Sequence, residues 1–146
     1  MSDSRYDQLK LENQLCFPLY ACAREVIRKY KPFLDELCLT YTQYIAMMVL
    51  WEEKHVGVKE LGEKLFLDSG TLTPLLKKLE AQGLITRTRS AEDERRLIVA
   101  LTPAGEALRE RALDVPAKIA SCSRLDPNDA VELYRILYKM LGREPK

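Results

Sequence analysis

The chain has 146 residues, 47% of them hydrophobic, which is enough for one domain with a buried core and leaves no room for a second enzyme domain. Its 23 Lys and Arg against 22 Asp and Glu give a formal charge of +1, so any polyanion must be held by local clustering rather than bulk attraction. The longest apolar run, residues 44–51, falls well short of the roughly 20 residues of a membrane span, so no membrane association is expected. The polar start MSDSRYDQLK carries no secretory pattern, which makes the cytoplasm the expected compartment, where structural disulfides are rare. Cys16, Cys22, Cys38 and Cys122 form no CxxC or Cys/His cluster and His55 has no cysteine near it, so neither a metal nor a cofactor is expected.

Leu11, Leu15, Leu19, Cys22 and Val26 recur at helical intervals, and Cys16, Ala23, Ile27 and Tyr30 make a second apolar row. This predicts a long helix buried on more than one side, which favours dimerisation, with packing inside the domain as the competing account. Pro18 must kink that helix or delay its start. Beyond Pro32 a short segment leads to Thr40, whose partner Gln43 completes a capping-box pattern for a helix through YIAMMVLWEE. After Gly57, the spacing of Val58, Leu61 and Leu65 predicts a short amphipathic helix. The turn FLDSG follows, and Leu72, Leu75, Leu76 and Leu79 predict another helix, stopped at Gly83. Two short helices joined by a tight turn are a helix-turn-helix pattern. From Leu84 the period changes: LITRTR and RLIVALT flank the polar turn SAEDER, predicting a β-hairpin, or wing. Thr102-Pro103 and Asp126-Pro127 open two C-terminal helices, the first kinked or broken near Pro116.

The second helix of the pair places Ser69, Thr71, Thr73, Lys77 and Lys78 opposite its leucines, short hydroxyls suited to base edges and phosphates, and lysines suited to the backbone. Lys77, Lys78, Arg87 and Arg89 against Glu80 leave a local excess of three positive charges. A charge cluster alone is usually a solvated face; following a helix-turn-helix and running into a hairpin, it points to DNA. Asp93 lies two residues before Arg95 at the hairpin tip. An arginine there suits a narrow minor groove, with the carboxylate steadying its guanidinium, and an ordinary exposed pair fits the spacing equally well.

The order of elements, closed by DERRLIVALTPAG, resembles the multiple antibiotic resistance regulator (MarR) family of dimeric winged-helix repressors. The strings LENQLCF, LYA, YKPFLDEL, TYTQY, LWE, LDSGTLTPLLKKLE, QGLITR and SAEDER are similar to its organic hydroperoxide resistance regulator (OhrR) branch, from about Leu11 to Gly105 and more loosely beyond. The resemblance implies a mainly α fold with a small β-wing. It makes 1–146 a single MarR-type domain, with 1–39 and 103–146 as dimerisation helices and 40–102 as the DNA-binding lobe. It implies a homodimer on double-stranded operator DNA, released by organic hydroperoxides, reset by cellular thiol reductants and not an enzyme.

In that branch the cysteine of LENQLCF senses peroxide, and tyrosines matching Tyr30 and Tyr41 bond to it from the partner subunit, so the resemblance puts Cys16 at the centre. Tyr20 joins the same pocket. Only a thiolate attacks a peroxide oxygen, and hydroxyl donors aimed at sulfur stabilise it. By composition alone these residues would be a buried helix cysteine and core aromatics. Pro18 departs from the branch, which has a helix-compatible residue there. Some members add a resolving cysteine in the C-terminal helical region, where Cys122 falls, implying an intersubunit Cys16–Cys122 disulfide. Cys22 lies six residues along the helix, about 9 Å of rise and on another face, too far to bridge to Cys16. Cys38 stays open by arithmetic. Two other readings remain: a regulator released by a non-covalent phenolic or acidic ligand, and a thiol peroxidase with a vestigial winged helix.

Overall fold

Pro18 sets where the first long helix begins. In the computed structural model, which describes residues 4–144, α1 spans Cys16–Asp35 and Pro18 is its third residue. First-turn amides have no intrahelical acceptor, so proline forfeits nothing there, and the late start is the outcome realised. Residues before it form two 3-10 turns, Ser4–Leu9 and Leu11–Asn13, rather than the helical extension expected from Leu11. Pro32, where the periodicity breaks, lies inside α1. The helix forgoes one bond, to the Arg28 carbonyl, and continues because Leu34, 1% exposed, anchors its last turn in the core.

The chain divides into two units, Met1–Val115 and Pro116–Lys146. In the first, Thr40 and Gln43 form the expected capping box: Thr40 Oγ1 accepts from the Gln43 amide at 3.3 Å, and Gln43 Oε1 accepts from the Thr40 amide at 2.9 Å. The helix they open, α2, Tyr41–Glu53, is the centre of the core, with Tyr44, Ala46, Met47, Leu50 and Trp51 buried. A short strand that periodicity does not reveal follows, β1, His55–Gly57. Then come α3, Val58–Leu65, and α4, Ser69–Ala81, joined by a turn in which Phe66 is left-handed at φ 56°. The hairpin is β2, Ile85–Arg89, and β3, Leu97–Leu101, and β1 pairs with the outer side of β3 to make a three-stranded antiparallel sheet of order β1-β3-β2. The fold is mainly α, a winged helix-turn-helix whose wing is the β2–β3 hairpin.

Thr102 caps α5, Pro103–Ala112, by accepting from the Gly105 amide, and the Trp51 indole donates to the Gly105 carbonyl at 2.9 Å, which fixes α5 on α2. In the second unit α6, Val115–Ser121, starts at its boundary with Pro116 in the first turn, so the expected break near Pro116 is real. The last helix, α7, Pro127–Leu141, is capped by Asp126 and buries none of its residues. No helix among the described residues is long and apolar enough to cross a membrane.

Gly105 is a close-approach glycine. A Cβ there would stand 2.2 Å from the Leu84 carbonyl oxygen and 2.7 Å from Leu101 Cδ1. Gly105→Ala is therefore expected to lower stability by about 1–3 kcal/mol through backbone displacement. Urea unfolding followed by Trp51 fluorescence checks it; an unchanged midpoint would show that α5 shifts without strain.

Candidate functional site

Asp68 begins the second helix of the pair. Its carboxylate accepts from the Thr71 amide at 2.8 Å, and the Thr71 amide followed by the Thr71 hydroxyl hold the carboxyl below its ordinary value. Leu72, Leu75, Leu76 and Leu79 face inward, so Ser69, Thr71, Lys77 and Lys78 are exposed and Thr73 is half-buried. The helix thus presents hydroxyls at its start and two lysines further along, with neither lysine in an ion pair among the described residues.

The expected basic cluster is smaller than its sequence count. Arg87 Nη2 lies 3.0 Å from Glu80 Oε1, its side chain is 19% exposed, and its Nε is buried with no hydrogen-bond partner among the described residues. The hydrogen bond from Arg87 holds the Glu80 carboxyl below its ordinary range. Arg89 Nη1 donates to the Glu94 carbonyl at 3.0 Å, tying one side of the wing tip to the other. Arg87 is therefore neutralised within the lobe while Arg89 keeps its charge, and the members of the cluster and wing tip left for a polyanion are Lys77, Lys78, Arg89 and Arg95.

The wing tip also corrects the expected Asp93–Arg95 contact. Asp93 Oδ1 accepts from the backbone amide of Arg95 at 3.0 Å, and no ion pair involves the Arg95 guanidinium among the described residues. The carboxylate shapes the turn because a two-residue spacing brings it to the amide, a local geometry that any Asx turn favours. The Arg95 side chain is exposed beyond that turn.

The thiol site lies elsewhere in the first unit. Cys16 is the first residue of α1 and is exposed, not buried as its helical periodicity alone suggests. An open groove of about 710 Å³ lies beside it, lined by Lys10, Leu11, Glu12, Gln14, Phe17 and Pro18. Tyr20, four residues on, shares the Cys16 face of the helix and carries the Arg24 guanidinium over its ring at 5.6 Å. Arg24 is a neighbour that the sequence reading passes over.

Tyr30 and Tyr41 come together, with ring centroids 5.0 Å apart, and Tyr44 joins them at 5.8 Å from Tyr30. Burial raises the pKa of all three, and for Tyr30 and Tyr44 the neighbouring phenols add to it. They remain protonated at neutral pH and keep their O–H groups for donation. Tyr44 is a further member that the TYTQY string contains but that its core position disguises. Cys16 and Tyr30, however, stand fourteen residues apart on one helix, about 21 Å at 1.5 Å per residue. Within one chain they do not meet.

Cys22 is exposed on α1, Cys38 is exposed after α1 with φ 55°, and Cys122 is exposed just past α6. Among the described residues no group of three or more His, Cys, Asp and Glu side chains is placed to hold a metal ion.

The family model described as transcriptional regulator SarA/Rot matches residues 28–111. The organic hydroperoxide resistance transcriptional regulator of Bacillus subtilis (strain 168) is 51% identical over 139 residues, 95% of each chain. AbfR of Staphylococcus epidermidis is a structural relative. Reduced AbfR bound to DNA matches with a TM-score of 0.78 at 35% identity, covering 94% of this chain and 96% of that one. Disulfide-formed AbfR matches with a TM-score of 0.65 at 36% identity, covering 97% and 99%.

The Asp68 cap generates a pH test. Because its folded carboxyl titrates below the unfolded one, at about 3.9, its contribution is complete above that value and is lost as pH falls through the lower folded value. Asp68→Asn keeps a cap without the titration, so its thermal midpoint should match the parent near neutral pH and fall less steeply in acid. Parallel acid limbs would remove the charge from the account of this cap.

Proposed function

The chain belongs to the winged-helix transcriptional regulators, in the branch of the organic hydroperoxide resistance regulator; from this premise we propose a homodimeric DNA-binding repressor whose sensor for organic hydroperoxides is the Cys16 thiol. The observation that carries the proposal is the separation along α1. Tyr30 and Tyr41 pair with each other and keep their hydroxyl protons, yet Cys16 stands about 21 Å from Tyr30 at the far end of the same helix. A second copy running alongside brings the phenols of one chain to the thiol of the other.

The apolar surface of the terminal helices supports the same arrangement. Leu15 is 80% exposed on the segment leading into α1, and Val131 is 71% exposed on α7. Residues 1–39 and 103–146 supply the dimer contacts, and 40–102 form the DNA-binding lobe. There α4 enters the major groove with Ser69, Thr71, Thr73, Lys77 and Lys78, while Arg95 takes the flanking minor groove. Arg87 and Asp93 act on the structure of the lobe and wing rather than on DNA, while Arg89, exposed and without an ion pair among the described residues, adds its charge to the surface that faces DNA.

Sensing is a two-electron oxidation. The Cys16 thiolate attacks the hydroperoxide; the O–O bond breaks, the alcohol leaves with the proton, and sulfur becomes a sulfenic acid. Tyr30 and Tyr41 of the partner subunit donate hydrogen bonds to the sulfur, and Tyr20 and the adjoining groove supply apolar wall for the alkyl group. Cys122 of the partner subunit then attacks the sulfenic sulfur, a disulfide forms and water leaves. The cross-link moves the DNA-binding lobes out of register, and cellular thiols restore the reduced form.

An operator selected from random-sequence DNA by the reduced protein provides the test. Cys16→Ser should bind it with nearly parental affinity and ignore cumene hydroperoxide; release of that variant by the peroxide would end the sensor assignment. The treated parent should run as a covalent dimer on a non-reducing gel and yield a Cys16–Cys122 peptide pair. Cys122→Ser should stay monomeric on that gel, with Cys16 driven to sulfinic acid. A Cys16–Cys38 pair, or no disulfide in the parent, would refute the resolving step alone.

A further inference from the structure

The wing tip is braced from within. The Ser90 amide donates to the Arg96 carbonyl at 2.8 Å, the Arg96 amide to the Asp93 carbonyl at 2.9 Å, and Arg89 Nη1 to the Glu94 carbonyl at 3.0 Å. A loop tied this way moves as one piece, so its direction is decided at its root. There the sheet thins: β1 follows β3 only as far as Gly57 opposite Ile98, and the next residue, Leu97, has Arg89 of β2 as its partner.

At that step Arg96 Nη2 donates to Glu60 Oε1, across 36 residues of sequence. Glu60 is in the first turn of α3, where helix amides favour a carboxylate. Gly57 lies beneath the pair: a Cβ there would come within 3.2 Å of both Arg96 Nη2 and Glu60 Oε1. The strand thus has no side chain where the pair rests on it. Both side chains are 53% exposed, so the contact adds little to folding. Its effect is geometric, since Arg96 is the residue next to Arg95.

We propose that Glu60 and Arg96 are positioning residues that fix the wing against the helix-turn-helix, so that Arg95 reaches the DNA flanking the site read by α4. This rests on the DNA-binding reading above. It makes a prediction of opposite sign to simple electrostatics: removing the Glu60 charge from a DNA-binding lobe should tighten binding on charge grounds, whereas loss of wing position should weaken it.

The experiment uses the reduced full-length protein, the selected operator, and a shortened duplex lacking the flanks. Glu60→Gln should weaken binding to the full operator by about threefold and leave binding to the shortened duplex unchanged or slightly tighter, since only the charge effect remains there. Arg96→Lys, which keeps the pair, should stay at parental affinity on both. Equal or tighter binding of Glu60→Gln to the full operator would overturn the proposal, as would weakening of Arg96→Lys to the same degree. A parent that binds no operator at all would instead remove the DNA-binding reading, and this proposal with it.

Discussion

The constraint on which the rest depends is apolar surface that a single chain does not cover. The DNA-binding lobe satisfies itself: Leu61, Leu72, Leu76, Leu79, Ile85 and Val99 are at most 1% exposed, and α2 runs among them. The terminal helices do not. Of the twenty residues of α1 only Leu34 is buried, and α7 buries none. Such faces are what the proposed dimer would cover. The proposed dimer uses that requirement twice, for stability and to assemble a thiol site whose parts, Cys16 at the start of α1 and the Tyr30–Tyr41 pair, lie far apart within one chain. Sensing is then tied to the contact between subunits, so a change at sulfur acts on the spacing of the lobes.

In the lobe, charge is spent largely on shape. Arg87 is drawn to Glu80 and Arg96 to Glu60, and Arg89 bonds the Glu94 carbonyl, leaving Lys59, Lys77, Lys78, Arg89 and Arg95 without ion pairs among the described residues. A formal charge of +1 thus understates the organisation and the raw cluster count overstates the binding surface.

Local chemistry was legible in the sequence and long-range pairing was not. The Thr40–Gln43 box, the Thr102-Pro103 and Asp126-Pro127 starts and the leucine rows of α3 and α4 are set by neighbours within a turn, so their residues announce them. β1 escaped because three residues carry no period; Val56 becomes strand only by lying opposite Val99. The run of α1 through Pro32 is decided by the burial of Leu34, which propensity does not contain. At the site, the LENQLCF, YKPFLDEL and TYTQY strings led to Cys16, Tyr30 and Tyr41, while the capture of Arg87 by Glu80, the Asp93 bond to an amide and the Glu60–Arg96 contact depend on where the sheet places them.

The central claim is that thiol and phenols belong to different chains. Mixed dimers made from differently tagged chains test it, one carrying Cys16→Ser and the other Tyr30→Phe with Tyr41→Phe. Their single remaining Cys16 is on the chain without the two hydroxyls and faces the chain that has them. The initial rate of Cys16 oxidation by cumene hydroperoxide should equal the parental rate per thiol, and the homodimer lacking both hydroxyls should be slow. A mixed dimer as slow as that homodimer would contradict the account.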